Sequence, residues 1–153
     1  MPEHIYTEHP AVYDDIQSAW DYDRDIEFVL ETAERHGVDG DRLLEIGCGT
    51  GEHTCRFLEH GFDVTAVDKH AGMLDRARTK CDVDFRQGAL PDLRLEGDFD
   101  VVVAIRGVIN HLPPADLSTA IDVMDARLAD GGILVFDNSQ LPPGGNDPAL
   151  DVG

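Results

Sequence analysis

Three glycines alternate with other residues in the stretch Leu43 to Thr54, LLEIGCGTGEHT, directly after a short apolar run. A glycine-rich turn between a strand and a helix allows a ligand to approach the backbone, because no Cβ stands in the way. Asp68 ends the next apolar run about twenty residues later, where a carboxylate can accept hydrogen bonds from ribose hydroxyls. The spacing therefore predicts a ligand that contains a nucleoside.

The glycine spacing argues against a dinucleotide as that ligand. A dinucleotide-binding turn reads G-x-G-x-x-G/A, whereas Glu52 stands here at the position of the last small residue. A negative charge in the first helical turn also competes with pyrophosphate for the same backbone amides. A nicotinamide-dependent oxidoreductase is therefore kept only as a remote alternative.

The elements that position this turn alternate between strand-like and helix-like periodicity. Helical spacing of apolar residues is found in DYDRDIEFVLETAERHG, EHTCRFLEHG, AGMLDRARTK and PADLSTAIDVMDARLADGG. Short apolar runs that predict strands are RLLEIG, FDVTAVD, VDFRQG, FDVVVAI and GILVFDN. Alternating strands and helices favour parallel pairing with crossover helices on both faces. The predicted fold class is α/β, a doubly wound and mostly parallel sheet.

Length and composition bound the class of protein. A chain of 153 residues with 42% hydrophobic content suits one globular domain. No apolar run approaches the roughly 20 residues that span a bilayer, and the amino terminus lacks a basic region followed by an apolar one. We therefore expect a soluble, cytoplasmic protein with no membrane partner.

The cysteines and histidines predict neither a disulfide scaffold nor a metal site. Cys48, Cys55 and Cys81 contain no Cys-x-x-Cys and are interpreted as reduced thiols. His53 and His60 are separated by seven positions, and no H-E-x-x-H is present. No metal is expected.

The chain has a large excess of acidic over basic residues. The formal net charge is −19, from 31 acidic and 12 basic residues, and Lys69 and Lys80 are the lysines. Such a field repels phosphate backbones, so nucleic acid is not an expected partner. Surplus carboxylates with scarce lysine are also typical of halophilic proteins, in which salt screens the self-repulsion. A halophilic source is our hypothesis.

The arrangement E-x-G-x-G-x-G, with Glu45 ahead of the glycines, resembles motif I of class I S-adenosylmethionine-dependent methyltransferases. VTAVD, GMLDRAR, FDVVVAIRGVINHL and LADGGILVFD resemble later motifs of that family in the same order, so the likeness covers about Leu43 to Asn138. GCGTGEHT and RQGALPDL are similar to small-molecule N-methyltransferases, including those that act on amino sugars. The resemblance implies a Rossmann-like sheet, S-adenosyl-L-methionine as cofactor and a small-molecule methyl acceptor.

The resemblance also implies roles for individual residues in cofactor binding. It assigns the glycine loop to the methionine end of the cofactor, a supporting role to the acid ahead of the loop, and the ribose to the acid after the second strand. It assigns two residues to the adenine and one to the sulfonium, and it places an Ala-Leu pair where the family usually has an aspartate for the adenine amino group. The loop residues are Gly47, Cys48, Gly49 and Gly51, the acid ahead of the loop is Glu45, and the acid for the ribose is Asp68. The adenine residues are Lys69 and Met73, the residue near the sulfonium is Ile105, and the Ala-Leu pair is Ala89 and Leu90.

Structural alternatives stay open for several of these residues. The glycines also fit a tight turn without a ligand, and Asp68 also fits a helix cap at the end of a strand. Met73 and Ile105 equally fit the hydrophobic core. Without an aspartate at Ala89, adenine recognition is left to backbone groups or to Asp92.

Transfer of a methyl group from a sulfonium needs mainly an aligned nucleophile and, for some acceptors, a base. His111, on the loop after the fourth predicted strand, is the candidate general base, and a structural hydrogen bond is its alternative role. Arg106 is a candidate for orienting an anionic acceptor. Aromatic residues ahead of the domain, which can attract a sulfonium or pack over the sheet, are Tyr13, Trp20 and Tyr22.

The predicted organisation has three parts: an N-terminal helical segment over 1–37, the cofactor-binding α/β domain over 38–138 and a loop-like tail over 139–153. In the resembled family further strands follow, and much of the acceptor pocket is built there. The strand Gly132–Asp137 is therefore expected at an exposed edge, where a homodimer or another partner would cover it. A cofactor-binding module, or a truncated methyltransferase without its acceptor pocket, is the alternative function.

Overall fold

The structure is a computed structural model that describes residues 21–105, 108, 112–137 and 150–152. The helices in this part of the chain are α1 (Tyr22–Arg35), α2 (Glu52–Glu59), α3 (Ala71–Arg78) and α4 (Pro114–Asp125). The strands are β1 (Arg42–Ile46), β2 (Asp63–Asp68), β3 (Asp84–Gln87), β4 (Phe99–Ala104), β5 (Leu128–Asp137) and β6 (Leu150–Val152). None of these helices combines the length and apolar character needed to cross a lipid bilayer.

The strands form one sheet with the order β3-β2-β1-β4-β5-β6. The pairs from β3 through β5 are all parallel, which confirms the doubly wound α/β prediction. The first strand lies in the middle, with β2 on one side and β4 on the other, so the winding reverses at β1. In such sheets the carboxyl ends of the strands at the reversal open into a ligand-binding crevice. The glycine loop follows β1 and therefore lies at this crevice.

The core lies on both faces of the sheet because successive strand residues point to opposite sides. Leu43 of β1 belongs to a buried cluster that contains residues of α1, α2 and α3, whereas the adjacent Leu44 belongs to a second cluster that contains Met124 of α4. Burial on both faces explains why adjacent residues are apolar in β1 (43–44) and in β4 (101–104), rather than alternating with polar ones. Three helices therefore cover one face, and α4 covers the other.

The boundary between α4 and β5 differs from its prediction. The sequence predicts a helix through Gly132, whereas α4 ends at Asp125 and β5 begins at Leu128. The β4–β5 register shifts between Phe99 and Val101, which pair with Leu128 and Ile133, so β5 carries extra residues at this point. Gly131 adopts a left-handed conformation in this irregular segment, with φ of 78°. A bulge of this kind is invisible to helical periodicity.

The C-terminal tail also differs from its prediction. The sequence predicts a loop over 139–153, but Leu150–Val152 forms β6, which pairs antiparallel with Val135–Asp137 of β5. The expectation that the whole strand Gly132–Asp137 is an uncovered edge is therefore wrong over these three positions. The homodimer hypothesis needs unpaired backbone groups on this strand, but at these three positions β5 is already paired with β6 of the same chain.

The prediction of three reduced thiols is wrong for two of them. Cys55 of α2 and Cys81, which follows α3, form a disulfide with a Cα–Cα distance of 5.6 Å. Cys48 is a free and buried thiol. The two bonded cysteines are 26 residues apart and meet because both helices pack on the same face of the sheet. Sequence spacing alone contains no signal for this pairing.

Candidate functional site

The glycine loop is held against β2 by backbone hydrogen bonds. The amides of Gly47 and Cys48 both donate to the carbonyl oxygen of Val67, at 2.7 and 2.9 Å. The loop then turns into α2, whose N-cap is Gly51. Three residues of the loop have positive φ, a conformation that L side chains rarely adopt, namely Gly47, Gly49 and Gly51. The loop therefore exposes backbone rather than side chains at the carboxyl end of β1.

Gly47 has no room for a side chain. A Cβ at this position would lie 2.4 Å from Cγ2 of Val108, well inside van der Waals contact. Val108 lies shortly after β4, so this contact brings the loops after β1 and β4 together across the reversal of the sheet. Glycine is therefore required here by both φ and close approach.

Asp68 joins the two parts of the site that the sequence analysis identified. Its Oδ2 accepts a hydrogen bond of 2.9 Å from the amide of Gly49, and its Oδ1 accepts one of 2.9 Å from the amide of His70. The residue is only 7% exposed. A carboxylate has about four lone-pair sites, so these two bonds leave capacity for further donors such as ribose hydroxyls. The bond to His70, the N-cap residue of α3, also gives Asp68 part of the capping role that was its alternative.

Glu45 is buried directly beneath the loop. It is 2% exposed, and its Oε1 accepts a hydrogen bond from the Thr54 hydroxyl, which ties the end of β1 to α2. Burial raises the pKa of Glu45 to about 8, the Thr54 hydrogen bond lowers it in part, and the nearby Asp68 carboxylate raises it further. Glu45 is therefore mainly protonated at neutral pH in the free protein.

This burial predicts a pH dependence of stability. The folded protein holds the Glu45 proton up to about pH 8, whereas the ordinary pKa is 4.5, so between these values the folded state binds more protons than the unfolded state. The free energy of unfolding is then expected to fall as pH rises through this window, by at most about 1.4 kcal/mol per pH unit from this group. Urea unfolding of the wild type and of Glu45→Gln measures it. The difference in the free energy of unfolding between the wild type and Glu45→Gln should change steadily between about pH 4.5 and pH 8. A difference that does not change with pH would contradict the raised pKa of Glu45.

The remaining predicted cofactor residues surround the same edge of the sheet. Cys48 is buried, and burial together with the carboxylates of Glu45 and Asp68 raises the pKa of its thiol. Ile105, after β4, is 6% exposed and borders the crevice while belonging to the core. Met73 on α3 is completely buried, as its alternative core role requires.

The predicted adenine side is more open. Lys69 is exposed, and its carbonyl oxygen accepts a hydrogen bond of 3.0 Å from Nε2 of Gln87. Ala89 and Leu90 are half-buried and follow β3, which pairs with β2 so that Gln87 lies beside Asp68. Candidates that lie outside the described residues are His111, Arg106, Tyr13 and Trp20.

A cleft beside the glycine loop contains residues that sequence reasoning did not assign. It is a small cleft that is open to solvent. The residues that line it are Tyr22, Gly47, Cys48, Thr50, Glu52, His53 and Ile105. Of these, Thr50, Glu52 and His53 have no assigned role in the sequence analysis, and Tyr22 has only a general aromatic one.

His53 and Asp25 form a buried pair at this cleft. Nε2 of His53 lies 2.8 Å from Oδ2 of Asp25, and the residues are 7% and 9% exposed. The Tyr22 ring packs edge-on against the imidazole, with 5.0 Å between ring centroids, and the guanidinium of Arg56 lies 4.8 Å from the centroid of the Tyr22 ring. These contacts join α1 to the first turn of α2. The sequence signal for this pair is an acidic residue, Asp25, on the mostly apolar buried face of α1.

Metal binding finds no support in the described part of the chain. No group of three or more His, Cys, Asp or Glu side chains is arranged there to hold a metal ion. His53 instead pairs with Asp25, and Cys55 is bonded to Cys81.

Comparison with known proteins identifies the family. The methyltransferase domain family matches residues 43–132. The SAM-bound structure of CalS10, an amino pentose methyltransferase from Micromonospora echinaspora, superimposes with a TM-score of 0.77 and 28% identity, over 86% of this chain and 57% of that one. The chain belongs to the S-adenosylmethionine-dependent methyltransferases. The family match confirms the resemblance and covers the loop, β1 to β4 and α2 to α4.

Two further proteins resemble this methyltransferase chain. The sugar N-methyltransferase KedS8 from Streptoalloteichus has a TM-score of 0.78 and 29% identity, over 88% of this chain and 56% of that one. A glycine/sarcosine N-methyltransferase of Aphanothece halophytica is 31% identical over 138 residues, which are 83% of this chain and 48% of the relative. The methyltransferase chain spans about half the length of the curated relatives it matches, 53% of one and 55% of another.

Proposed function

We propose that this methyltransferase binds S-adenosyl-L-methionine at the carboxyl ends of β1, β2 and β4 and methylates a small molecule. The hydrogen bond of 2.9 Å from Gly49 to Asp68 carries the proposal, because it unites the glycine loop with the acid that follows the next strand. The Asp68 carboxylate keeps lone pairs for ribose hydroxyls, and the three glycines of the loop allow a ligand to approach the backbone. Both features fit the nucleoside and the amino-acid part of this cofactor.

Each part of the site has a proposed role in holding the cofactor. The loop residues Gly47, Cys48, Gly49 and Gly51 would hold the methionine end, with Glu45 supporting the loop through Thr54. The adenine side would be formed by Lys69, Met73, Ala89 and Leu90, and Ile105 would lie near the sulfonium. The side chain of Asp92 is 84% exposed, so backbone groups after β3 are the better source of adenine recognition.

The proposed reaction is an in-line displacement, for which the bound cofactor supplies an activated methyl group. The protein's own contribution is then to align the acceptor and exclude water. We propose an amine acceptor, since CalS10 and KedS8 are named as amino-sugar and sugar N-methyltransferases. His111 stays a proposed general base. A cofactor-binding module that needs a partner to complete its acceptor pocket remains the alternative.

The proposed setting of the protein follows from its charge. A net charge of −19 disfavours nucleic acid as a partner, and it is the basis for proposing a halophilic source. A cytoplasmic location stays a proposal that does not depend on the charge. Because salt screens this charge, binding experiments need to be run at both low and molar KCl.

Calorimetric titration with S-adenosylmethionine, S-adenosylhomocysteine and NAD tests the cofactor assignment. We expect binding of the first two and none of NAD. Replacing Asp68 with alanine is expected to weaken binding by about 1 to 3 kcal/mol, because hydrogen bonds to a charged group are lost. Asp84→Asn, a change at an exposed aspartate on β3, is the matched control and should leave the affinity unchanged. Preference for NAD, or no binding at either salt concentration, would contradict the proposal.

A further inference from the structure

The Cys55–Cys81 disulfide joins the two helices that follow the two cofactor loops. Cys55 lies one turn into α2, and its amide donates a hydrogen bond of 3.0 Å to the carbonyl oxygen of Gly51, the last residue of the glycine loop. Cys81 follows α3, and its amide donates to the carbonyl oxygen of Ala77 at 3.4 Å. The disulfide therefore connects the glycine loop, through α2, with the Asp68–His70 loop, through α3.

The other contacts between these two helices are weaker. A Cβ on Gly51 would lie 3.1 Å from Cβ of Ala77, so the helices are in close van der Waals contact at this point. The ion pair between Lys80 and Glu52 has an N–O distance of 3.9 Å and is partly exposed, and such pairs contribute little. The disulfide is the covalent constraint on the separation of α2 and α3 among the described residues.

The separation of the helices bears directly on the cofactor site. The glycine loop and the Asp68 loop are joined by the hydrogen bond from Gly49 to Asp68, and a nucleoside cofactor must contact both loops at once. A constraint that holds the two loops at their binding distance lowers the ordering cost of binding. Cys55 and Cys81 are each half-buried, so a small thiol or disulfide reagent can reach them.

We propose that the Cys55–Cys81 disulfide positions the two cofactor loops, so that its reduction lowers the affinity for cofactor. The inference rests on the proposed function. Oxidation removes two protons and two electrons from the thiols of Cys55 and Cys81, and a low-molecular-weight disulfide accepts them and becomes two thiols. Cys48 is buried and takes no part in this exchange. Cofactor affinity then depends on the redox state of the cell.

Calorimetric titration with S-adenosylhomocysteine tests the inference on the full chain. One sample is treated with oxidised glutathione and another with a phosphine reductant, and alkylation in denaturant counts the thiols by mass. We expect one alkylated cysteine in the first sample and three in the second, from the chain's three cysteines. The Kd is expected to rise by about fivefold or more on reduction, since preorganisation is lost. Cys55→Ala/Cys81→Ala should bind like the reduced wild type in both media.

A separate control distinguishes loop positioning from general stability. Met124→Ala truncates a buried side chain on the opposite face of the sheet and should lower Tm without changing the Kd. Equal Kd values for the oxidised and reduced wild type overturn the inference, as do three free thiols after oxidation. If neither the oxidised nor the reduced chain binds S-adenosylhomocysteine, the proposed function fails, whereas equal binding by both samples contradicts only the role of the disulfide.

Discussion

Replacing Gly47 with alanine is expected to raise the Kd for S-adenosylmethionine by more than about tenfold and to lower the free energy of unfolding by about 3 kcal/mol. The new Cβ would lie 2.4 Å from Cγ2 of Val108, so either the loop or Val108 must move. Overpacking of this kind costs about 1 to 3 kcal/mol, and a side chain at φ of 76° adds about 1 to 2 kcal/mol. Because Gly47 lines the cleft, displacement of its backbone also distorts the site.

Gly61→Ala is the matched control for this effect. Gly61 also has positive φ, 92°, but a Cβ there has no atom within 4 Å. It should therefore show only the cost of the left-handed conformation, about 1 kcal/mol, and unchanged cofactor affinity. Calorimetric titration and urea unfolding of both variants measure the two quantities. Equal losses in the two variants would show that contact with Val108 is unimportant.

Replacing His53 with alanine is expected to lower the free energy of unfolding by about 3 kcal/mol. The Asp25 carboxylate would lose its hydrogen bond of 2.8 Å to the imidazole while it stays buried, and breaking a buried pair by removing one member is costly. The replacement of Asp25 by alanine should cost less, because an imidazole can be buried in its neutral form. The two residues also hold the Tyr22 edge of the cleft, so both changes should weaken cofactor binding.

A double-mutant cycle isolates the contribution of this pair. His53→Ala/Asp25→Ala is expected to cost at least about 1 kcal/mol less than the sum of the single variants, because both changes remove the same buried interaction. Arg78→Ala breaks an exposed pair with Asp75 on α3 and should cost less than about 1 kcal/mol. Losses for His53→Ala as small as for Arg78→Ala, or strict additivity, would refute the buried pair.

The parallel part of the sheet and its ligand-binding edge were predictable from local patterns in the amino-acid sequence. The runs that became β1 and β4 are buried on both faces, and such runs can be recognised without tertiary information because adjacent residues in them, 43–44 and 101–104, are apolar. The glycine loop and Asp68 were also identifiable, since a turn without side chains and an acid at the next strand end are local features with fixed spacing. The family match over 43–132 covers these elements.

Contacts between side chains that are distant in sequence were not predictable from local patterns. His53 and Asp25 are 28 residues apart, and Cys55 and Cys81 are 26 apart, so their contacts depend on how α1, α2 and α3 pack on one face of the sheet. The antiparallel β6 was also unpredictable, because three residues have too little periodicity to indicate a strand. The protonation of Glu45 is decided by burial beneath the loop. Local patterns fix elements, whereas contacts between distant residues and the electrostatics of buried groups arise only when those elements are packed together.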